Sequence, residues 1–267
     1  MSEQPSVSRA ELERWLAGEL RVARFRDYCP NGLQVAGTES IRHIVTGVTA
    51  SLALLEQAVA RGADAVLVHH GWFWKNDDPR IVGMLRNRLQ LALRHDLNLF
   101  AYHLPLDAHP TLGNNAQLAR VLGLEPETTP REGDDEPAAP LTLDADGLLW
   151  TGRAPDLDTV GDFIRRVEQR LGRAPLWVGE AEAPLAKVVW CTGGAQGYMS
   201  QAIDAEASLY LTGEASEYNT HLARETGVAF VAAGHHATER YGVQAVGQAV
   251  AERFGVTVEF VEIDNPV

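Results

Sequence analysis

Three short runs of this 267-residue chain concentrate side chains that bind metals or move protons. They are His69-His70-Gly71, the stretch from His103 through Asp107 to His109, and the stretch from Gly234 through His235 and His236 to Glu239. In the first run two adjacent imidazoles follow the apolar Ala-Val-Leu-Val of residues 65–68. Neighbours on a strand point to opposite faces, and Gly71 is expected to turn the chain so that both rings approach one centre. The second run offers His103, Asp107 and His109. In the third, His235 and Glu239 stand at i and i+4, which brings both to one side of a first helical turn, while His236 points elsewhere. Imidazoles with carboxylates form an N/O donor set suited to zinc, iron, manganese or nickel. Three imidazoles and two carboxylates exceed what one tetrahedral ion uses. In two-metal hydrolytic sites the ions lie about 3.5–4 Å apart, and Asp107 or Glu239 could bridge such a pair. Two divalent metal ions per subunit are therefore expected, on His69, His70, Asp107, His235 and Glu239. The remaining histidines have plainer readings: His43 and His95 cap or solvate element ends, and His221 sits on a helix surface.

The elements that must position these runs alternate strand and helix. Strands are predicted at 43–50, 64–71 and 98–107, with helices at 52–62, 80–96 and 114–123 between and after them. An earlier helix opens at Ser8-Arg9-Ala10-Glu11, a capping-box pattern, with Leu12, Trp15 and Leu16 on one face. A turn-rich stretch, Tyr28-Cys29-Pro30-Asn31-Gly32, follows it. The rhythm lapses over 125–146, which reads as an acidic linker, and over 147–188, which reads as a small α+β insertion without chemistry. It resumes with strands at 187–194, 208–214, 228–236 and 257–263 and helices at 198–207, 218–227 and 238–255. Such alternation implies parallel strands joined by crossovers. The expected class is α/β, with two interlinked α/β lobes of mainly parallel sheets. The first lobe is 1–124, the linker and insertion 125–186, and the second lobe 187–267. The two halves read as a degenerate repeat that places all three histidine runs at carboxyl ends of strands, where open α/β sheets bind ligands.

Composition narrows the function classes. A formal charge of −13 disfavours direct nucleic-acid binding, which needs clustered Lys and Arg. No stretch approaches the roughly 20 apolar residues of a membrane span. The polar N-terminus lacks the apolar core of a signal peptide, so a cytoplasmic location is expected. Cys29 and Cys191 form no CxxC pair and read as small buried hydrophobes.

Taken together, NGLQV (31–35), VTGVTAS (45–51), VLVHHGWFW (66–74), HLPLDAH…GNNAQLA (103–119), WCTGG (190–194), TGE (212–214) and AGHHATERYG (233–242) resemble the family of dinuclear-metal-centre hexameric proteins. Its members carry the name GTP cyclohydrolase 1 type 2 homologue. The resemblance spans nearly the whole chain and is weakest over 125–185. It implies a toroidal homohexamer, a trimer of dimers, with metal pairs facing an internal cavity. It assigns the ligands to His69, His70, Asp107, His235 and Glu239, with Glu239 bridging, and makes His103 a further site residue. The better known GTP cyclohydrolase uses cysteine ligands for zinc, and here both cysteines fall outside the histidine runs, so ring opening of GTP does not follow from the name.

Two functions are expected in order. The first is a dinuclear-metal-dependent hydrolase of a small-molecule substrate, a nucleotide or a purine- or pteridine-like ring compound. In it His103 orients water or shuttles a proton, and Trp72, Phe73 and Trp74 offer a stacking wall or a subunit interface. The second is a non-catalytic metal-binding hexameric scaffold or metal-handling protein.

Overall fold

The computed structural model describes residues 5–129 and 139–267. Met1–Gly113 with Arg240–Asp264 form one compact unit, and Asn114–Glu239 with Asn265–Val267 form a second.

The first unit begins with β1 (Val7–Ser8) and α1 (Arg9–Glu19), whose Ser8 side chain accepts from the Glu11 amide as the capping pattern predicts. Then follow β2 (Gly32–Val35), β3 (Ser40–Ile41), β4 (His43–Thr49), α2 (Leu52–Ala60), β5 (Ala65–His70), α3 (Gly83–Arg94), β6 (Asn98–Ala101) and α4 (Leu104–Ala108). Strands β4, β5 and β6 pair in parallel, and β2 adds antiparallel to β6. Strict alternation explains their burial. Ile44, Ala65, Leu67 and Phe100 enter one apolar cluster with Leu12 and Leu16 of α1. Val45, Val66, Val68, Leu99 and Ala101 enter the other, with Leu54 and Leu55 of α2. A strand covered on both faces reads as a continuous apolar run, and 65–68 is one. The strand expected over 98–107 stops at Ala101, and α4 takes the rest. Pro105 occupies the first turn of that helix, where its missing amide hydrogen costs nothing. Asp107 therefore sits on a helix, not on a strand.

The second unit runs α5 (Asn114–Leu122), β7 (Glu125–Pro126), β8 (Trp150–Arg153), α6 (Val160–Leu171), β9 (Leu176–Val178), β10 (Val188–Trp190), α7 (Met199–Asp204), β11 (Leu209–Thr212), α8 (Glu217–Thr226) and β12 (Ala229–Ala232). Its sheet has the order β7-β8-β10-β11-β12-β9. The central three strands are parallel, repeating the β4-β5-β6 pattern of the first unit. The flanking β8 and β9 are antiparallel. Thus the segment expected as a small α+β insertion is built into this sheet. The acidic stretch begins as strand β7 paired to β8; its residues 130–138 lie outside the described ones.

Last come α9 (His235–Phe254) and β13 (Thr257–Phe260). The turn His235–Glu239 belongs to the second unit and the chain from Arg240 to the first. The cause is packing: Val243, Val246 and Val250 are buried in the first unit's core, and β13 pairs in parallel with β4. This partition crosses the boundaries at 124 and 186 expected from composition and rhythm. Among the described residues no helix is long and apolar enough to cross a membrane.

Candidate metal centre

In the first unit the end of β5 carries His69, fully buried, and His70, half-buried. Their ring centroids lie 4.4 Å apart. His103, just after β6, lies 5.1 Å from the His69 ring and 5.8 Å from the His70 ring. These three histidines each offer a nitrogen within 4.8 Å of the others. The turn after β5 differs from the expected one. Gly71 has no left-handed backbone; its hydrogen is required because a Cβ there would lie 2.3 Å from Gln34 Oε1 and 2.5 Å from the Ala101 Cβ. The positive φ falls instead on Phe73, at 65°.

His69 Nδ1 donates to the Tyr102 carbonyl at 2.9 Å. A carbonyl only accepts, so the hydrogen is on Nδ1 and the lone pair is on Nε2. That Nε2 stands 3.4 Å from Asp107 Oδ1, longer than a normal hydrogen bond. Two donors each about 2.0–2.1 Å from one tetrahedral ion stand about 3.4 Å apart, so the pair fits a shared cation. His70 Nδ1 lies 3.3 Å from Thr49 Oγ1, and His103 Nδ1 donates to Asp27 Oδ1 at 2.8 Å.

In the second unit His235 opens α9, with its Nδ1 donating to Glu214 Oε1 at 2.6 Å and its Nε2 3.1 Å from Glu239 Oε2. Burial opposes charge on this ring, but the two carboxylates outweigh it and lift the His235 pKa to about 9. The environment therefore favours a cation at this position. Glu239 is buried against a gap left by Gly193, where a Cβ would lie 2.0 Å from Glu239 Oε1 and 3.1 Å from His235 Nε2. Gly213 likewise leaves room for the His235 backbone, 2.7 Å from where its Cβ would be. These two glycines make space for His235 and Glu239.

The donor chemistry fits a divalent metal. Ring nitrogens of His69, His103 and His235 are fixed through Nδ1 by a carbonyl or a carboxylate, the outer-shell pattern of metal-binding imidazoles. Buried His/Asp/Glu groups that could hold a metal ion are thus present.

Other expected residues fall elsewhere. His109 Nδ1 accepts from the Leu112 amide at 2.9 Å, closing a turn, and burial pushes its pKa down. His221 pairs with Glu217 on the surface of α8, and His43 pairs with Glu259. His236 is buried, its amide donating to the Val267 carbonyl at 3.0 Å. Trp72 is core, with its indole N–H on the Ala50 carbonyl at 2.8 Å. Phe73 is exposed. Trp74 meets the histidines, edge-on to His103 at 4.9 Å. Both cysteines are buried and neither is in a disulfide, but Cys29 is not remote: its sulfur lies within 4.8 Å of donor atoms of Asp27 and His103. Burial, then the Asp27 charge, pushes its thiol up to about 12. Sequence reasoning missed Asp27 and Glu214. Glu214 had a signal, a carboxylate at the strand end that the repeat aligns with His69-His70-Gly71. Asp27 had none.

A mixed two-unit α/β protein with imidazole and carboxylate groups at its strand ends is the class defined by fold and site. The chain belongs to the Duf34/NIF3 (NGG1p interacting factor 3) family, matched over residues 7–266. It is 52% identical to a "GTP cyclohydrolase 1 type 2 homolog" of Allochromatium vinosum, covering 96% of each chain. A protein of the same name from Pseudomonas aeruginosa is 53% identical, over 92% of this chain and 94% of that one. Among solved structures it resembles protein ybgI, described as of unknown function, with a TM-score of 0.89 and 45% identity over 98% of this chain and 100% of that one.

Proposed function

We propose that this protein is a dinuclear-metal-dependent hydrolase of a small molecule, with His69, His70, Asp107, His235 and Glu239 as ligands and Glu239 as the bridge. The observation that carries the reading is the fixing of the imidazoles: Tyr102 and Asp27 hold the Nδ1 hydrogens of His69 and His103, which leaves their lone pairs on Nε2, and Glu214 orients the His235 ring through its Nδ1. Five ligands of mixed N/O type suit two ions better than one. When bound, divalent ions supply Lewis acidity and lower the pKa of water towards neutrality. Of the chain's own groups, His103 is the one to hold or hand on a proton at Nε2. Trp74 gives a purine- or pteridine-like ring a stacking face, since it lines an open cleft of about 290 Å³ and its ring meets His103. The resemblance to a hexameric family supports a cytoplasmic homohexamer, a trimer of dimers.

The test is hydrolysis of nucleotides, cyclic amides and phosphodiesters by metal-loaded protein, with Asp107→Ala beside it. An activity that Asp107→Ala abolishes while the oligomer persists supports the reading. Metal bound with no hydrolysis across these classes favours a metal-handling role instead.

A further inference from the structure

The turn Asp27–Asn31 does more than connect α1 to β2. Asp27 Oδ1 accepts from the Tyr28 amide at 2.6 Å and from His103 Nδ1 at 2.8 Å. Its Oδ2 accepts from Asn31 Nδ2 at 2.8 Å and from the Leu104 amide at 2.9 Å. Asn31 Oδ1 in turn accepts from the His103 amide at 2.7 Å. The Asp27 side chain is 3% exposed, so water does not substitute for these partners.

Two readings of the Asp27, Cys29 and His103 group compete. The three lie close enough to hold a metal ion. A carboxylate, however, has about four lone-pair sites, and the four donors occupy all of them. Binding an ion there would strip a buried carboxylate of partners and require ionising a buried thiol. Positioning is the reading the geometry favours. The Leu104 amide is the first of α4, so the carboxylate also caps the helix that carries Asp107, three residues on, at its favourable positive end.

We propose that Asp27, braced by Asn31, is the positioning residue of this site. It holds His103 as the Nδ1–H tautomer, with the Nε2 lone pair on the side of His69 and His70, and it anchors the start of α4 and so the placement of Asp107. The inference deepens the hydrolase reading and rests on it for its purpose, but its geometry lies wholly within the first unit. Outer-shell partners of this kind change metal affinity about 10–100-fold when removed.

The test uses full-length, metal-free protein labelled with 15N at histidine. Solid-state 15N spectra are taken at alkaline pH, where imidazoles are neutral, and His103→Gln assigns the His103 signals by their loss. The expected result is a protonated Nδ1 and an unprotonated Nε2 in the wild-type chain, with that pattern retained in Asp27→Asn and lost in Asp27→Leu. A wild-type Nε2–H tautomer, or an unchanged pattern in Asp27→Leu, overturns the proposal. If Asp27→Leu does not fold, the wild-type spectrum decides alone. Because this readout involves neither metal nor turnover, failure of the hydrolase reading leaves it standing, and its own failure leaves metal binding untouched.

Discussion

Replacing Gly193 by Ala adds one methyl group at the most crowded point of the second unit's donor set. The new Cβ would lie 2.0 Å from Glu239 Oε1 and 2.9 Å from its Cδ. Ordinary contact begins at 3.4 Å, so the carboxylate oxygen must retreat by 3.4 − 2.0 = 1.4 Å. The backbone at 193 cannot yield in its place, because its amide donates to Thr238 Oγ1 at 3.0 Å and its carbonyl accepts from the Gly213 amide at 2.9 Å. Gly193 also has φ +70°, which costs an alanine about 1–2 kcal/mol. Gly172→Ala separates the two effects: its φ is +73° and nothing lies within 4 Å of its Cβ. Both variants should lose about 1–2 kcal/mol in denaturant unfolding of the metal-free protein, with Gly193→Ala losing more. Only Gly193→Ala should lose metal affinity, by at least about 10–100-fold in chelator competition. Wild-type affinity in Gly193→Ala, or equal losses in both variants, would refute the role given to Glu239.

Glu214→Gln leaves a weaker acceptor on His235 Nδ1; metal affinity should fall about 10–100-fold in the same titration. The Asp27 carboxyl is buried, which alone would raise its pKa, but its hydrogen bonds from His103 and Asn31 bring it from 3.8 to about 2. Its stabilisation is therefore complete above the unfolded value and is lost as pH falls through about 2. It amounts to about 2 kcal/mol, and urea midpoints of wild type and Asp27→Asn should converge over that window. With its thiol at about 12, Cys29 is about one ten-thousandth thiolate at pH 8; mass spectrometry should find it unalkylated by iodoacetamide until the protein is unfolded.

The parts legible in the sequence are those set by local periodicity. The alternation of β4, β5 and β6 shows because both faces are buried, and α9 shows because its apolar residues recur at helical spacing. The histidine runs stand out because His69-His70 and His235–Glu239 are each adjacent or one turn apart. What stayed hidden depends on distant partners. Asp27 meets His103 across 76 residues, and Glu214 meets His235 across 21; no spacing rule links them. Cys29 appeared remote from the histidines for the same reason. The strand expected over 98–107 stops at Ala101 because a helix with Pro105 in its first turn takes over from Leu104, helix-starting geometry winning over a run of apolar residues. The lobe boundary failed at α9, whose valines follow the first unit's core and not the rhythm of the second.

The proposed function places two metal ions on the five ligands. It is tested most directly by counting metal in protein purified anaerobically, with elemental analysis and anomalous scattering from crystals of the same batch. About two transition-metal ions per chain are expected, with anomalous peaks at His69, His70, Asp107, His235 and Glu239. Protein that contains no such metal and takes none up, or peaks placed away from these side chains, would contradict it.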